Sequence, residues 1–225
     1  MKMKQKLVAG AALLSAAAGF TAPAHSAEVA ATVGASNMYY WRGFDLGGGA
    51  ALIADVNVKE SGAYAGLWAS SGDELYGTEW DFYAGYGFSA GPLSVDLNYT
   101  TYMYPTPKLG FDDLSDAAIT LGLKASDDLS FSAMYRQGLG DVLGDDNYTY
   151  ATLSATYSKF TALVGMHSDD SKTYDGVTHL DLKYAYNDKL SFTIGKIIDL
   201  GETEDTPKEA NDEVKFVVNL SLPIE

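Results

Sequence analysis

The strongest constraint on the fold is the strict alternation of apolar and polar side chains from Val177 to Ile198. Successive side chains of a β-strand point to opposite faces, so each alternating run has one apolar face and one polar face. The two runs are joined by residues 187–189, Asn-Asp-Lys, which favour a tight turn. We therefore predict a hairpin in which Tyr186 lies opposite Leu190. The further predicted pairs on its apolar face are Tyr184–Phe192 and Leu182–Ile194.

The same alternation recurs along the rest of the chain and predicts twelve strands. Several of these runs approach the roughly 9–11 residues that a tilted strand needs to cross a bilayer. The predicted strands are 29–42, 50–59, 63–70, 78–88, 93–103, 117–124, 129–137, 147–157, 160–168, 177–186, 190–198 and 213–224.

The predicted connections alternate between short and long. An up-and-down barrel in an outer membrane has short periplasmic turns and longer outer loops, and an even number of strands returns the chain to the side on which it began. The sequence therefore predicts that the short connections are periplasmic. The predicted long outer loops are 43–49, 71–77, 104–116, 138–146, 169–176 and 199–212.

The first residues have the character of an export signal. Three lysines, the last of them Lys6, precede the apolar run Leu7–Phe20, and small residues follow it. A membrane anchor would need a longer apolar run. We place the cleavage near Ser26, and cleavage after Ala24 or Ala27 also fits.

These features divide the chain into a signal peptide, residues 1–26, and one barrel domain, residues 27–225. Without the three lysines of the signal segment, 12 Lys and Arg stand against 30 Asp and Glu, a net charge of −18. Such an acidic chain repels nucleic acid, so no nucleic-acid partner is expected. The chain has no cysteine, which excludes disulfides and thiolate metal sites, and we expect no cofactor.

A soluble β-sandwich is the structural alternative, because its strands alternate as well. The long strands and the rhythm of the connections favour an all-β, transmembrane, up-and-down antiparallel β-barrel. The second face of the strands is too charged for a dry core, so the apolar face points outward. The expected surroundings are outer-membrane lipid and lipopolysaccharide, and the expected state is a monomer.

By parity, the polar face of the strands lines the lumen. It forms a mixed-charge wall that suits small polar solutes, or its charges pair across a plugged interior. Twelve strands enclose a lumen wider than that of an eight-stranded barrel and narrower than that of a large porin. The predicted lining residues are Arg42, Asp55, Glu79, Asp81, Asp96, Asn98, Arg136, His167, His179, Asp181, Lys183 and Lys215.

Two histidines fall on neighbouring predicted strands near the outer mouth. His167 and His179 are ordinary polar lining, or a pH-sensitive or metal-binding pair with Asp169 or Asp181. A membrane-embedded hydrolase would combine one of them with a serine, but no serine stands in a nucleophile motif, so we do not expect an enzyme. The candidate serines are Ser154, Ser168 and Ser171.

The predicted long loops hold many of the acidic residues. Solvation of loops in water accounts for them, and contact with divalent cations at the surface is a second interpretation. The sequence contains no segment with the residue spacing of a calcium-binding loop. The cation interpretation therefore rests only on the large number of carboxylates in these loops.

Four pieces of the first third of the predicted barrel resemble the TorF-like family of outer-membrane porins. They are residues 36–43 (SNMYYWRG), 61–70 (SGAYAGLWAS), 79–86 (EWDFYAGY) and 102–105 (YMYP). The resemblance implies barrel architecture, the outer membrane of a Gram-negative bacterium and passive transport. It supplies no catalytic or binding residue.

We therefore expect an outer-membrane porin that gives passive diffusion of small hydrophilic solutes through a narrow lumen of mixed charge. A structural or surface-interaction barrel with acidic outer loops is the alternative, and a membrane-embedded hydrolase is a third.

Overall fold

The computed structural model describes residues 27–47, 49–201 and 210–224. Within them the chain forms fourteen strands and one short helix. The strands are β1 (Glu28–Ser36), β2 (Tyr40–Trp41), β3 (Phe44–Asp45), β4 (Ala51–Glu60), β5 (Ala63–Asp73), β6 (Gly77–Ala90), β7 (Leu93–Tyr104), β8 (Leu109–Lys124), β9 (Leu129–Leu139), β10 (Thr149–Tyr157), β11 (Phe160–Ser168), β12 (Val177–Ala185), β13 (Leu190–Leu200) and β14 (Lys215–Pro223). The helix, α1 (Gly140–Leu143), lies between β9 and β10.

Twelve of the strands, all except β2 and β3, form one closed antiparallel barrel. Each strand pairs with its neighbours along the chain, and β1 closes the barrel by pairing with β14 from Thr32↔Pro223 to Ser36↔Asn219. The predicted all-β, up-and-down, twelve-stranded barrel is confirmed. Because the sheet closes on itself, it presents no unpaired edge.

The barrel is apolar outside and polar inside. Leu153, Leu182 and Ile194 point outward and are 68%, 50% and 48% exposed, respectively. Glu79 and Arg136 point inward and are 2% and 0% exposed. Large apolar side chains therefore cover the outer wall, and the charges of the same strands are enclosed.

The hairpin from Val177 to Ile198 has the predicted register. Leu182 pairs with Ile194, and Tyr184 pairs with Phe192. The Asn187 carboxamide accepts hydrogen bonds from the N–H groups of Lys189 and Leu190, both at 2.9 Å, and this closes the turn. The side-chain parity of both strands follows from that register.

The first strand was predicted to run from 29 to 42, and this is wrong. β1 ends at Ser36, because the next residue, Asn37, bonds through its side chain to β14. The Asn37 carboxamide donates to the Phe216 carbonyl at 2.8 Å and accepts from the Val218 N–H at 2.7 Å. With these ladder positions satisfied, the chain leaves the wall and turns into the barrel.

Two predicted long loops are shorter than expected. β8 begins at Leu109, so the loop predicted at 104–116 is reduced to residues 105–108. Phe111 packs against the outward-facing Phe82, with 6.2 Å between the ring centroids and the rings tilted by 49°, and this extends the wall beyond the predicted strand end. The loop predicted at 71–77 likewise contracts to residues 74–76.

The two ends of the barrel nevertheless differ. The end that carries residues 37–47, 140–148, 169–176 and 210–214 is called the loop end here, and the opposite end the turn end. The predicted signal peptide, residues 1–26, lies outside the described residues, and so do the four acids Glu202, Glu204, Asp205 and Glu209.

No helix among the described residues is long and apolar enough to cross a membrane.

Candidate functional site

A short hairpin fills the loop end of the lumen. Residues 37–47, called the inner hairpin, contain β2 and β3, which pair through Tyr40↔Asp45 and Trp41↔Phe44. The two-residue turn between them is Arg42-Gly43, and both residues have positive φ, 48° and 96°. This is the backbone that a tight hairpin requires, and it aims the Arg42 side chain at the far wall.

An apolar contact holds the second strand of the inner hairpin. Phe44 is 1% exposed and packs against Val177, Ile197 and Ala210. Val177 and Ile197 point into the lumen, where an apolar side chain would otherwise meet water. Full burial of a side chain such as phenylalanine stabilises by about 1.5–3 kcal/mol, so this contact contributes to keeping the hairpin inside.

Trp41 packs among the rings of the opposite wall. Its ring lies 6.5 Å from that of Tyr148 and 6.1 Å from that of His167, measured between centroids. It also stacks on Phe44 of the hairpin itself at 6.1 Å. The hairpin is therefore packed against the barrel on both of its strands.

The Arg42 guanidinium ends in a buried cluster of wall side chains. It donates to Asp116 Oδ2 at 2.9 Å and to the phenol oxygens of Tyr102 and Tyr148, both at 3.0 Å. The Arg136 guanidinium binds the other carboxylate oxygen, Oδ1. The Arg42, Asp116 and Arg136 side chains are 8%, 0% and 1% exposed, so one buried carboxylate balances two guanidinium groups.

The inner hairpin keeps its positive charge in this setting. Burial alone would lower the pKa of Arg42, but Tyr148, Tyr102 and Asp116 together hold the pKa well above its usual value. Arg42 is thus charged at any pH at which the barrel is folded.

Two tyrosines anchor the start of the hairpin. The Tyr39 phenol donates to the Glu79 carboxylate on β6, and the Tyr40 phenol donates to Asp181 Oδ1 on β12 at 2.6 Å. Burial and then the Glu79 charge raise the pKa of Tyr39, so its phenol stays protonated and remains a donor. The hairpin is therefore bonded to opposite sides of the barrel.

His167 supports the turn of the inner hairpin. Its Nε2 lies 2.8 Å from the Arg42 carbonyl oxygen, which only accepts, so Nε2 carries the hydrogen. In the neutral ring Nδ1 then accepts from the Tyr148 phenol at 3.0 Å. The same phenol accepts from Arg42, which closes a small ring of hydrogen bonds around the turn.

His179 belongs to a second chain of hydrogen bonds. Its Nδ1 donates to Asp181 Oδ1 at 3.2 Å, and its Nε2 accepts from the Tyr150 phenol at 2.8 Å. The rings of His167 and His179 lie 6.1 Å apart, as expected for neighbouring strands. Both nitrogens of both rings are engaged by these groups.

The turn-end half of the lumen is polar and partly open to solvent. Asp55 accepts from the Tyr83 phenol at 2.8 Å, and Asp96 accepts from the Tyr64 phenol at 2.9 Å. The Asn98 carboxamide donates to the same Tyr64 oxygen at 3.3 Å. Asp55, Asp96, Asn98 and Lys183 are all half-buried, in contrast to the closely packed loop end.

The charges are unevenly distributed around the lumen. The acidic predicted lining residues on β4, β6 and β7 are Asp55, Glu79, Asp81 and Asp96. The basic ones and the histidines on β9, β11, β12 and β14 are Arg136, His167, His179, Lys183 and Lys215. Asp181 is the exception among the predicted residues, and it is held by Tyr40 and His179.

Lys215 and several residues that the sequence does not single out complete the site. Lys215 lies at the loop end and donates to the Asn211 side chain at 2.7 Å. Asp116 falls at the end of the predicted loop 104–116, although it is the central carboxylate of the cluster. The wall tyrosines and the hairpin tyrosines were also missed: Tyr39, Tyr40, Tyr102, Tyr148 and Tyr150.

The Arg-Gly pair offered a signal for the hairpin. A glycine supplies the positive φ that a two-residue hairpin turn needs, and Met38 to Trp41 breaks the strict alternation of a wall strand just before it. Among residues 27–47, 49–201 and 210–224 there is no group of three or more His, Asp or Glu residues placed to bind a metal ion.

We predict that Gly43→Ala loosens the inner hairpin. A Cβ at this position would lie 2.8 Å from the Cβ of His179, and the φ of 96° disfavours any side chain. The left-handed backbone costs about 1–2 kcal/mol, and the clash adds to it. Faster hydrogen exchange of residues 38–46 would report the loosening.

Gly49→Ala is the matched control. Gly49 also has positive φ, at 74°, but an added Cβ there meets open space. It shares the backbone strain without the clash, so the exchange of residues 38–46 is expected to stay close to that of the wild type. Equal exchange in both variants would contradict the packing of Gly43 on His179.

A family described as a bacterial protein of unknown function (Gcw_chp) matches residues 20–193. No curated protein matches the sequence. The solved structure of the KdgM porin in complex with disordered oligogalacturonate is similar with a TM-score of 0.52 and 9% identity, covering 88% of this chain and 100% of that chain. The NanC porin has a TM-score of 0.47 and 15% identity, covering 85% of this chain and 97% of that chain. At these identities the likeness to the KdgM porin is one of fold.

Proposed function

Because the chain belongs to the Gcw_chp family of bacterial proteins of unknown function and folds as a closed twelve-stranded barrel, we propose that it is an outer-membrane channel for small hydrophilic solutes. The observation that carries the proposal is the combination of an apolar outer wall with a charged interior. In lipid every backbone group must be paired within the protein, and a closed barrel achieves this.

The proposed location is the outer membrane of a Gram-negative bacterium. Exposed apolar side chains on all sides of a barrel suit contact with lipid and lipopolysaccharide. The tight connections of the turn end would then be periplasmic, and the loop end would face outward. We further propose that the protein is a monomer and that divalent cations contact its outer loops. Membership of the TorF-like porins also remains a prediction.

The lumen suits small polar solutes. Its turn-end half carries half-buried charges of both signs, which replace the water around a polar solute as it passes. The inner hairpin fills the loop-end half, where Arg136, His167 and His179 are at most 1% exposed. We therefore propose a narrow channel that conducts when the inner hairpin moves away from the wall.

Swelling of proteoliposomes tests the channel directly. Vesicles that contain the folded protein are transferred to isosmotic solutions of small neutral sugars and of small charged solutes. Small solutes are expected to enter and larger oligosaccharides are not, because twelve strands leave a lumen narrower than that of a large porin. The proposed channel is contradicted if vesicles with protein swell no faster than empty vesicles in every solute.

A lipid-facing charge is expected to destabilise the barrel. Ile194 is 48% exposed on the outer wall and pairs with Leu182. Ile194→Lys is expected to cost about 2–4 kcal/mol if the site lies near the bilayer midplane, measured by urea unfolding in lipid vesicles. Ile194→Leu is the control, and it should unfold as the wild type does. A lysine tolerated without cost would argue that this face does not meet lipid.

The buried hairpin layer favours one second function, a structural or surface-interaction barrel. In that case the interior charges stabilise a plug and the solvent-facing loops carry the function. Permeation that stays absent even when the hairpin is removed would support this alternative. The hydrolase hypothesis has weaker support, because the ring nitrogens of His167 and His179 are engaged by Tyr148, the Arg42 carbonyl, Tyr150 and Asp181.

A further inference from the structure

The wall around Arg42 has the form of a guanidinium-binding site. Asp116 supplies a carboxylate oxygen at 2.9 Å, and Tyr102 and Tyr148 supply phenol oxygens at 3.0 Å. A planar guanidinium has several donors in one fixed plane, and three acceptors around it satisfy most of them. All three acceptors belong to the barrel and not to the hairpin.

Aromatic faces complete the pocket. The guanidinium carbon of Arg42 lies 5.1 Å from the ring centroid of Tyr150 and 5.8 Å from that of Tyr148. Contacts of this kind attract a cation to the negative face of the ring. Tyr150 is 5% exposed, so the contact is shielded from water.

Asp116 can accept a second guanidinium without losing Arg136. Arg136 binds Oδ1, and Arg42 binds Oδ2. Oδ2 also accepts from the Tyr102 phenol at 2.7 Å. If the inner hairpin left the wall, Oδ2 would keep that partner and could accept a new donor in place of Arg42, while Arg136 stayed on Oδ1. The acceptors of the pocket therefore stay in place when the Arg42 side chain leaves it.

A nearby carboxylate has acceptor capacity to spare. Asp81 is 9% exposed, and its Oδ1 has no hydrogen-bond partner among the described residues. It interacts most strongly with the neighbouring Glu79, and also with Asp116 and Arg42. A second cationic group on an incoming molecule would find an acceptor there.

We propose that Asp116, Tyr102, Tyr148 and Tyr150 form a binding site for a small solute that carries a guanidinium group, and that Arg42 occupies this site when the inner hairpin is in place. The solute and Arg42 compete for the same acceptors, so binding of one releases the other. Binding itself does not require conduction. Its coupling to channel opening rests on the proposed function.

The experiment compares four ligands on the purified, folded protein. L-Arginine and agmatine carry a guanidinium, citrulline carries a neutral urea of the same shape, and lysine carries a compact ammonium. Calorimetry of the Arg42→Gln variant is expected to show binding of arginine and agmatine about tenfold or more tighter than of citrulline. Lysine is expected to bind more weakly than arginine, because it lacks the planar fork.

Two further comparisons locate the ligand. Arg42→Gln/Tyr148→Phe is expected to bind arginine about tenfold more weakly than Arg42→Gln, since it lacks one acceptor for a charged donor. Wild-type protein is expected to bind more weakly than Arg42→Gln, because Arg42 already fills the site. Equal affinity for arginine and citrulline, or no effect of Tyr148→Phe, would overturn the proposal.

A measurement on the wild type decides the matter if Arg42→Gln fails to fold. The hydrogen-exchange rate of residues 38–46 is expected to rise when arginine is added and not when citrulline is added. A rate that changes with neither ligand would overturn the proposed binding site. Conductance measurements separate the two proposals. If the barrel binds arginine selectively but never conducts, the binding site is supported and the channel is contradicted.

Discussion

Asp116→Asn is expected to release the inner hairpin and to destabilise the whole barrel. The wild-type carboxylate is 0% exposed and balances the Arg42 and Arg136 guanidinium groups. Removing the charge takes away the carboxylate that the two buried cations share, and breaking a buried pair in this way costs about 3–5 kcal/mol. Urea unfolding in micelles measures the loss, and acrylamide quenching of Trp41, in a Trp68→Phe/Trp80→Phe background that leaves Trp41 as the single tryptophan, measures the release.

Asp127→Asn is the control for this substitution. Asp127 is 97% exposed and pairs only with Lys124 at 2.9 Å in a turn-end connection. Exposed pairs contribute little to stability, so unfolding and quenching should match those of the wild type. If Asp116→Asn is as harmless as Asp127→Asn, the buried carboxylate does not hold the inner hairpin in place.

Removal of the inner hairpin is expected to turn a mostly closed barrel into a steadily conducting one. The variant replaces residues 38–44 with a short Gly-Ser linker, which removes Arg42 and keeps Asp45, and it leaves β1 and β4 in their pairing. Ion conductance across a planar bilayer should then be larger and less interrupted than that of the wild type, because the hairpin fills the loop-end half of the lumen.

The deletion also exposes a cluster of charge. Arg136 keeps Asp116, while Asp81 and Glu79 lose the neighbouring Arg42 and Tyr39. The open lumen should therefore favour cations more strongly than the wild type does, which reversal potentials in a salt gradient would show. Asp141→Asn/Asp145→Asn, which removes two exposed loop charges, is the control and should leave both quantities unchanged. A deletion variant that conducts no better than the wild type would argue against the hairpin as the barrier.

Much of the barrel could be predicted because the parity of a strand is a local property. Leu182 and Ile194 face outward, and His179 and Thr193 face inward, for reasons that are visible within a few residues of each. Each strand has one apolar and one charged face, and closing the sheet into a barrel puts every apolar face outside and every charged face inside.

The inner hairpin could not be predicted in the same way. Met38 to Trp41 reads as the end of a strand, and only contacts with distant residues, such as Asp116 and Asp181, hold it inside the lumen. Asp116 was assigned to a loop because the alternation weakens before it, whereas pairing with β7 and β9 extends β8 past this residue. Tertiary contacts of this range leave no periodic trace in the sequence.

A tether between the inner hairpin and the barrel wall shows whether the hairpin opens and closes the barrel. The chain has no cysteine, so Tyr40→Cys/Asp181→Cys introduces a single pair, at positions whose wild-type side chains meet at 2.6 Å. A short bis-methanethiosulfonate cross-linker joins the two thiols through disulfide bonds that reduction breaks. The pair is made in the Asp116→Asn background, and single-channel conductance is recorded before and after reduction. We predict a closed barrel while the tether is intact and an open one after reduction. Conductance that is the same before and after reduction would contradict the account.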